Sequence, residues 1–223
     1  MSEIKYAKVS NSEPVIDFLV GRLEANLSSG KRVFWLLPGG SAIKLAVEVA
    51  RRLQAPLAKL TVSLTDERYG PVDYPDSNWR QLIDAGLSLP GANLQPVLTG
   101  KPLEQTVDDY TNMLIKYLSK CDYSLALAGM GTDGHIFGIK PASPAVSADK
   151  PVVGYTWDDY VRITPTAKIL KMLDEIVILA IGQQKHKQFD RLEADLAIDE
   201  QPAQLLKQLS KVTIFNDYKG EVL

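Results

Sequence analysis

Short apolar runs alternate along this chain with longer segments in which apolar residues recur at helical spacing. Residues 33–37 (VFWLL) are continuously apolar, as expected of a strand that is covered on both faces. Helical spacing is clearest over residues 42–53 and 103–118. Further β-rich runs occupy residues 60–64, 123–128, 175–181 and 212–215. The alternation predicts an α/β fold with a doubly wound, mainly parallel sheet and helices on both faces.

The remaining segments carry weaker patterns. Residues 151–155 favour a strand, and residues 141–150 a loop. Helices are predicted over residues 77–85 and 201–208. A short helix is predicted after residues 162–164, and another helix is predicted to start near Gln183. Because α/β folds of about this length usually form one unit, the 223 residues predict a single domain over 1–223.

Composition narrows the functional classes. Hydrophobic residues make up 45% and charged residues 23%, which is ordinary for a globular protein. The net charge is −2, so the sequence lacks the surplus of basic residues that is expected of a nucleic-acid-binding protein. No apolar run approaches the roughly 20 residues of a membrane helix, and residues 1–6 lack the apolar centre of a signal peptide. Cys121 has no second cysteine to pair with. We therefore expect a cytoplasmic protein in which Cys121 is a small, inert hydrophobe.

The first candidate for chemistry is the turn after residues 33–37. Gly39 and Gly40 would let the backbone approach a ligand, and the N-terminus of the next helix would offer free N–H groups to a phosphate. Ser41 adds a hydroxyl donor. The alternative is a tight strand-to-helix turn in which Ser41 caps the helix.

The second candidate is the charged stretch Asp66, Glu67 and Arg68, directly after a buried strand. Ligands of open parallel sheets bind beyond the carboxyl ends of the strands, so one or two of these side chains are expected in the crevice. Arg68 suits a bidentate contact with phosphate or carboxylate. The alternative is a solvated turn with a local ion pair.

The third candidate is residues 129–135 (GMGTDGH), where three glycines surround Asp133 and precede His135. An imidazole at a strand end is suited to proton transfer near neutral pH. The alternative is a capping histidine in a glycine-rich turn. His186, the second histidine, is expected at the exposed, basic start of a helix.

Sequence motifs for metal binding, for a serine nucleophile and for nucleotide binding are absent. Two distant histidines and one cysteine provide no metal-ligand cluster, and no Gly-x-Ser-x-Gly elbow is present. Neither a Walker loop nor a dinucleotide fingerprint occurs. We expect neither a metal nor a cofactor.

Together the motifs resemble the family that unites 6-phosphogluconolactonases with glucosamine-6-phosphate deaminases. The matching stretches, in family order, are residues 37–41 (LPGGS), 65–68 (TDER), 77–78 (SN), 129–135 (GMGTDGH), 162–164 (RIT) and 182–185 (GQQK). The resemblance implies a doubly wound α/β domain and a phosphosugar substrate. It implies that His135 handles the proton at sugar C1, with Asp66 and Asp133 orienting that chemistry. It implies a substrate pocket built from Gly39, Gly40, Ser41, Arg68, Arg162 and Lys185.

The two branches of the family differ at a few positions. Arg68 resembles the lactonases, since deaminases usually carry an aromatic residue there. Ile136 resembles a deaminase, but Lys140 stands where a deaminase needs an acidic partner for its histidine, and a cation cannot replace that carboxylate. The resemblance therefore favours hydrolysis of 6-phospho-D-glucono-1,5-lactone, in the oxidative branch of the pentose phosphate pathway.

Two alternatives stay open. One is a deaminase or isomerase of the same family. The other is a non-catalytic phosphosugar sensor, which would keep the Gly-Gly-Ser turn but would need no histidine. The sequence leaves the oligomeric state open between a monomer and a small homo-oligomer.

Overall fold

The computed structural model describes residues 4–158 and 160–222, whose strands form two sheets. The strands are β1 (Ile4–Lys8), β2 (Val33–Leu37), β3 (Leu60–Leu64), β4 (Glu67–Arg68), β5 (Asn93–Leu94), β6 (Tyr123–Gly129), β7 (Val152–Trp157), β8 (Tyr160–Pro165), β9 (Glu175–Ala180), β10 (Val212–Asn216) and β11 (Glu221–Val222). The α-helices are α1 (Glu13–Ser28), α2 (Ile43–Arg52), α3 (Asn78–Asp84), α4 (Leu103–Leu118), α5 (Pro144–Ser147), α6 (Ala167–Leu170) and α7 (His186–Glu193). Short 3-10 helices occupy Gly40–Ala42, Leu57–Lys59, Gln183–Lys185 and Pro202–Gln208.

The larger sheet has eight strands in the order β11-β1-β10-β9-β6-β2-β3-β5. Each pair of neighbours runs parallel, which confirms the predicted α/β fold. All residues of β2 are buried, as the continuous apolar run predicted, and all residues of β9 are buried as well.

The strand order reverses between β2 and β6. From β2 the chain proceeds to β3 and β5 on one side, whereas from β6 it proceeds to β9 and β10 on the other. Because parallel crossovers are right-handed, connections in opposite directions place their helices on opposite faces. Helices α1 and α2 therefore share one face and α4 and α7 the other. The carboxyl ends of β2 and β6 border the crevice at this reversal.

The start of α2 differs from the prediction for Ser41. Ser41 lies inside the 3-10 helix Gly40–Ala42, and no side chain caps either helix. The side chain of Ser41 is instead exposed beside the crevice. A 3-10 turn tightens the chain between strand and helix, so the residue preceding α2 is Ala42 rather than Ser41.

The smaller sheet is antiparallel, in the order β4-β8-β7, and was not predicted. The strand at residues 151–155 is confirmed as β7, but it pairs with β8 rather than joining the parallel sheet. Residues 162–164 lie within β8, and the predicted short helix follows as α6. Gly154 of β7 lacks a side chain where Leu103 and Val107 of α4 pack against it, so α4 supports this sheet.

Strand β1 and helix α1 were also absent from the sequence prediction. Helix α1 buries residues at helical spacing, Val15, Ile16, Leu19, Leu23 and Leu27. Strand β1 has two lysines, Lys5 and Lys8, among apolar residues, which is a weak strand pattern, and its pairing with β10 and β11 stabilises the strand. Residues 141–150 include the short helix α5, and the predicted helix over 201–208 is a 3-10 helix.

The prediction of one domain over 1–223 reaches beyond the described residues and stays a prediction. None of the helices in the described residues is long and apolar enough to cross a membrane.

Candidate functional site

A cavity of about 340 Å³ opens at the carboxyl ends of the parallel strands, beside the reversal of strand order. Its volume lies in the range of small-molecule sites, about 300–1,000 Å³. The residues that line it are Gly39, Gly40, Ser41, Thr65, Asp66, Arg68, Asn78, Ala128, Gly129, Met130, Gly131, Thr132, His135, Phe137, Gly138, Arg162 and Lys185. The cavity therefore brings together the end of β6, segments that follow β2, β3, β6 and β9, and one residue each of β4, β8 and α3.

The sequence-predicted site residues converge here. Gly39, Gly40, Ser41, Asp66, Arg68, His135, Arg162 and Lys185 all line the cavity. Asp133 is outside the lining and lies behind His135, to which it is bonded. The structure thus brings the sequence-predicted residues together at one site.

The turn after β6 holds Asp133 and His135 in contact. Oδ1 of Asp133 lies 2.6 Å from Nδ1 of His135 and 3.1 Å from its backbone nitrogen. Gly131 makes room for the pair, because a Cβ at this position would stand 2.1 Å from Nδ1 of His135 and 2.5 Å from Oδ1 of Asp133. Gly134 supplies the left-handed backbone that closes the turn, with φ of 82°.

The contact between Asp133 and His135 determines the tautomer. A carboxylate oxygen and a ring nitrogen approach to 2.6 Å only with a proton between them, so Nδ1 donates to Asp133. Burial opposes ionisation of Asp133, but the bond and charge of His135, together with Lys140, lower the pKa of this carboxyl. In the neutral imidazole, Nε2 of His135 is then the ring nitrogen that carries no proton and is available to the cavity.

Asp66 contributes a second carboxyl group. Its Oδ1 accepts a hydrogen bond of 3.1 Å from Oγ1 of Thr65. Burial raises the pKa of Asp66, whereas the charge of Arg162 opposes the shift. Gly138 passes close to this carboxyl, since a Cβ there would lie 2.7 Å from Oδ2. Only a glycine permits that approach, and its φ of 73° is also one that glycine adopts readily.

Two guanidinium groups lie side by side across the smaller sheet. Arg68 and Arg162 are directly paired residues of β4 and β8, and both lie over the ring of Tyr160, at 4.5 and 5.6 Å from its centroid. Nε of Arg162 is buried and has no hydrogen-bond partner among the described residues. This pair can present several N–H donors to an anion in the cavity.

Gly40 gives the backbone of the first motif its shape. Its φ of 62° favours glycine, and no atom lies within 4 Å of the position that a Cβ would take. Gly39, in contrast, is tightly packed, with Oδ1 of Asn78 only 2.3 Å from a Cβ built there. The turn therefore offers an open backbone surface beside the N-terminus of α2, a suitable place for an anion.

Lys185 reaches the cavity from the 3-10 helix after β9. Burial lowers the pKa of Lys185, and the charge of Asp217 opposes this shift. Asp217 accepts a hydrogen bond of 3.1 Å from the backbone of Gly182 and contacts Nε2 of His186 at 3.0 Å. His186 begins a helix as predicted, but it is partly buried and stacked on Tyr218 rather than exposed.

Asn78 is the main lining side chain that sequence reasoning did not place in the site. It is almost fully buried, and its Nδ2 donates to the backbone oxygen of Asp66 at 2.9 Å. The signal was present, since residues 77–78 matched a family motif, but nothing local indicated which way the side chain would turn.

Glu67 is the buried member of the charged stretch and connects β4 to α3. Its Oε1 accepts from the backbone nitrogens of Arg68 and Asn78 at 2.7 and 2.6 Å. Its Oε2 accepts from Oγ of Ser77 at 2.9 Å and from the nitrogen of Trp79 at 3.3 Å. Burial raises the pKa of Glu67 to about 7, although these four donors oppose the rise.

Metal ligands and the thiol of Cys121 are the remaining groups to consider. Among residues 4–158 and 160–222, no group of three or more His, Cys, Asp or Glu side chains lies close enough together to hold a metal ion. Cys121 is half-buried, and burial raises the pKa of its thiol, which fits the expected inert role.

The pKa of Glu67 predicts a pH-dependent stability. Between its unfolded value of 4.5 and about 7, the unfolded chain releases this proton while the folded chain retains it. The contribution of Glu67 to the free energy of unfolding should therefore decline as pH rises through this window, by about 1.4 kcal/mol per pH unit at its centre. Urea denaturation of the wild type and Glu67→Gln at several pH values measures the difference.

Two variants serve as controls for Glu67. Glu67→Ala removes the acceptor altogether, so it should destabilise the chain at every pH, by about 1–3 kcal/mol for each buried donor left unpaired. Glu104→Gln changes an exposed glutamate and should match the wild type at each pH. A difference between the wild type and Glu67→Gln that is constant across the window would mean that Glu67 is ionised throughout.

Comparison with known proteins places this site in a family. The family model described as glucosamine-6-phosphate isomerases/6-phosphogluconolactonase matches residues 9–215. A curated 6-phosphogluconolactonase of Synechocystis sp. is 30% identical over 199 residues, which cover 84% of this chain and 83% of that relative.

Solved structures share the fold. A 6-phosphogluconolactonase from Shewanella baltica OS155 superposes with a TM-score of 0.82 at 18% identity, over 96% of this chain and 98% of that chain. A monomeric glucosamine-6-phosphate deaminase superposes with a TM-score of 0.77 at 18% identity, over 96% of this chain and 97% of that chain. At these identities the superpositions establish the fold alone. By the family model and the Synechocystis relative, the chain belongs to the family of glucosamine-6-phosphate isomerases and 6-phosphogluconolactonases.

Proposed function

We propose that this chain hydrolyses 6-phospho-D-glucono-1,5-lactone to 6-phospho-D-gluconate. The observation that carries the proposal is the Asp133–His135 pair, in which the 2.6 Å contact occupies Nδ1 and leaves Nε2 as a base at the cavity. The name of the curated Synechocystis relative, 6-phosphogluconolactonase, supports the same activity. The substrate class, a phosphorylated sugar derivative, fits a cavity of about 340 Å³ that contains three cationic side chains.

In the proposed reaction His135 acts twice. Nε2 takes a proton from a water molecule whose oxygen attacks C1 of the lactone, and a tetrahedral oxyanion forms. When the bond between C1 and the ring oxygen breaks, the imidazolium returns this proton to the ring oxygen, and no covalent enzyme intermediate is needed. A positioned acid–base group contributes about 10²–10⁴-fold, which is substantial for an ester that already hydrolyses spontaneously.

The phosphate is proposed to bind the cationic part of the cavity. Arg68 and Arg162 offer N–H donors from the smaller sheet, and Lys185 offers an ammonium from the segment after β9. Gly40 and Ser41 add backbone and hydroxyl donors at the N-terminus of α2. Because burial lowers the pKa of Lys185, a dianion beside it would favour its charged form.

Asp66 is proposed to orient the reacting end. It lies in the cavity with His135 and Arg162, and the charge of Arg162 favours its ionised form. This position suits a hydrogen bond to a sugar hydroxyl or to the attacking water. Asp133 has a separate task, which is to hold the tautomer and the ring orientation of His135.

A deaminase reaction is the second candidate, because Asp66 offers a carboxylate in the cavity and a deaminase shares the fold. Deamination with isomerisation also needs an acidic partner for its histidine at the position of Lys140. Here that side chain is an ammonium, with Nζ 3.1 Å from Nδ1 of His135. Lactone hydrolysis needs no carboxylate at position 140, because Asp133 already supplies the acidic partner of His135, and it is therefore favoured. Location in the cytoplasm and the absence of a nucleic-acid partner stay predictions.

The reaction class can be tested with both substrates. The purified chain should accelerate acid release from freshly made lactone and release no ammonia from glucosamine 6-phosphate, each corrected for its spontaneous rate. His135→Ala should lower kcat by about 10²–10⁴-fold while the fold and the affinity for 6-phosphogluconate are retained. Rapid ammonia release without faster loss of lactone would reverse the assignment. A folded His135→Ala variant with near-normal kcat would rule out the base.

The phosphate site predicts a different kinetic effect. Arg68→Ala and Lys185→Ala should each raise KM and weaken binding of 6-phosphogluconate, by roughly tenfold or more, since a charge-assisted hydrogen bond contributes about 1.5–3 kcal/mol. Salt should weaken the remaining affinity. Arg51→Ala and Lys120→Ala, exposed cations outside the cavity, are the matched controls. Unchanged affinity in both test variants would place the phosphate elsewhere.

The close packing at Gly131 predicts that adding a methyl group at this position strongly lowers the activity. Gly131→Ala would place a Cβ 2.1 Å from Nδ1 of His135, so the Asp133–His135 pair has to separate. We expect kcat to fall nearly as far as in His135→Ala. Gly21→Ala is the control, because no atom lies within 4 Å of a Cβ at that glycine. If Gly131→Ala turned over lactone at the wild-type rate, the pair as described would not be needed for catalysis.

A further inference from the structure

Lys140 contacts both members of the catalytic pair, although it does not line the cavity. Its Nζ lies 3.2 Å from Oδ2 of Asp133 and 3.1 Å from Nδ1 of His135. The side chain is only 12% exposed, so the ammonium is held in place rather than free in solvent. Lys140 is the residue at which the sequence departs from the deaminase pattern, and neither branch of the family explains it.

The two contacts of Lys140 cannot both be hydrogen bonds. Nδ1 of His135 donates to Asp133 across 2.6 Å, so it has no lone pair left for the ammonium. Lys140 therefore donates to Oδ2 of Asp133, and its closeness to Nδ1 is a contact without a hydrogen bond. The carboxylate is thus held from both sides, by the imidazole at Oδ1 and by the ammonium at Oδ2.

We propose that Lys140 is a positioning residue for the hydrolysis, which fixes Asp133 so that His135 keeps its proton on Nδ1 and presents Nε2 as the base. The inference rests on the proposed function, because it assigns Nε2 the task of accepting a proton from water. Asp133 is 40% exposed at its side chain, so without Lys140 only the contacts of its Oδ1 with His135 oppose a turn of the carboxylate towards solvent. Each such turn removes the acceptor that selects the tautomer of the imidazole.

The same geometry gives Lys140 an opposite effect once Asp133 is removed. At 3.1 Å its ammonium would then donate to Nδ1, which places the ring proton on Nε2. An Nε2–H group cannot take a proton from water. Asp133 and Lys140 therefore compete for Nδ1, and the wild-type arrangement is productive because Asp133 holds both the imidazole and the ammonium.

The test is a double-mutant cycle on kcat for lactone hydrolysis. Lys140→Met keeps the apolar stem and removes the charge, and it should lower kcat about tenfold with KM within about twofold, whereas Lys140→Arg should recover most of kcat. Asp133→Ala should have the lowest kcat in the cycle. The double variant Asp133→Ala/Lys140→Met should be faster than Asp133→Ala alone, since no ammonium then forces the proton to Nε2. Lys150→Met, an exposed lysine, is the control.

A spectroscopic readout separates positioning from general loss of structure. Nitrogen-15 NMR of the imidazoles, at a pH where both are neutral, reports the tautomer, and His135→Ala assigns the signals of the two histidines. The wild type should have Nδ1–H at His135, Lys140→Met a mixture, and Asp133→Ala mainly Nε2–H. An unchanged tautomer in Lys140→Met, or a double variant no faster than Asp133→Ala, would overturn the proposal. If the wild type does not hydrolyse the lactone, the proposed function fails, while the tautomers still test the role of Lys140.

Discussion

The parallel hydrogen-bond ladder between β2 and β6 is the constraint on which the site depends. Each strand is paired on its other side with a strand that leads away from the crevice, β3 in one case and β9 in the other. The connections that follow β2 and β6 must therefore turn away from each other, onto opposite faces of the sheet. The space between them holds the turn around Gly40 and the turn that carries Asp133 and His135.

Glu67 extends this arrangement from the main sheet to the smaller one. Its buried carboxyl group accepts from the backbone of Arg68 and Asn78, and Asn78 in turn holds the backbone of Asp66 and packs against Gly39. Three of the motif segments are thus linked through one group. Burial of this carboxyl is unfavourable in itself, as its raised pKa indicates, and the hydrogen bonds that it organises offset that cost.

The charged groups at the two ends of the site differ in whether they already have hydrogen-bond partners. Asp133 is satisfied from both sides by His135 and Lys140, so this part of the site is complete without a ligand. Arg162 is different, because its buried Nε lacks a partner within the described residues. A group that is desolvated and unpaired is unfavourable until an anion reaches it. The proposed catalytic end is therefore preorganised, whereas the guanidinium of Arg162 at the proposed phosphate end still has an unpaired nitrogen.

The sequence by itself determined the parallel strands and the motifs at their ends, because apolar periodicity and glycine-rich turns are local properties. It did not reveal β1 and α1, or the antiparallel sheet that pairs Arg68 with Arg162, since those arrangements depend on partners distant in the chain. Only the tertiary structure decided that Glu67 is buried and that Lys140 reaches Asp133. Hydrogen bonds and desolvation act between groups that folding brings together, and spacing along the chain does not encode those distances.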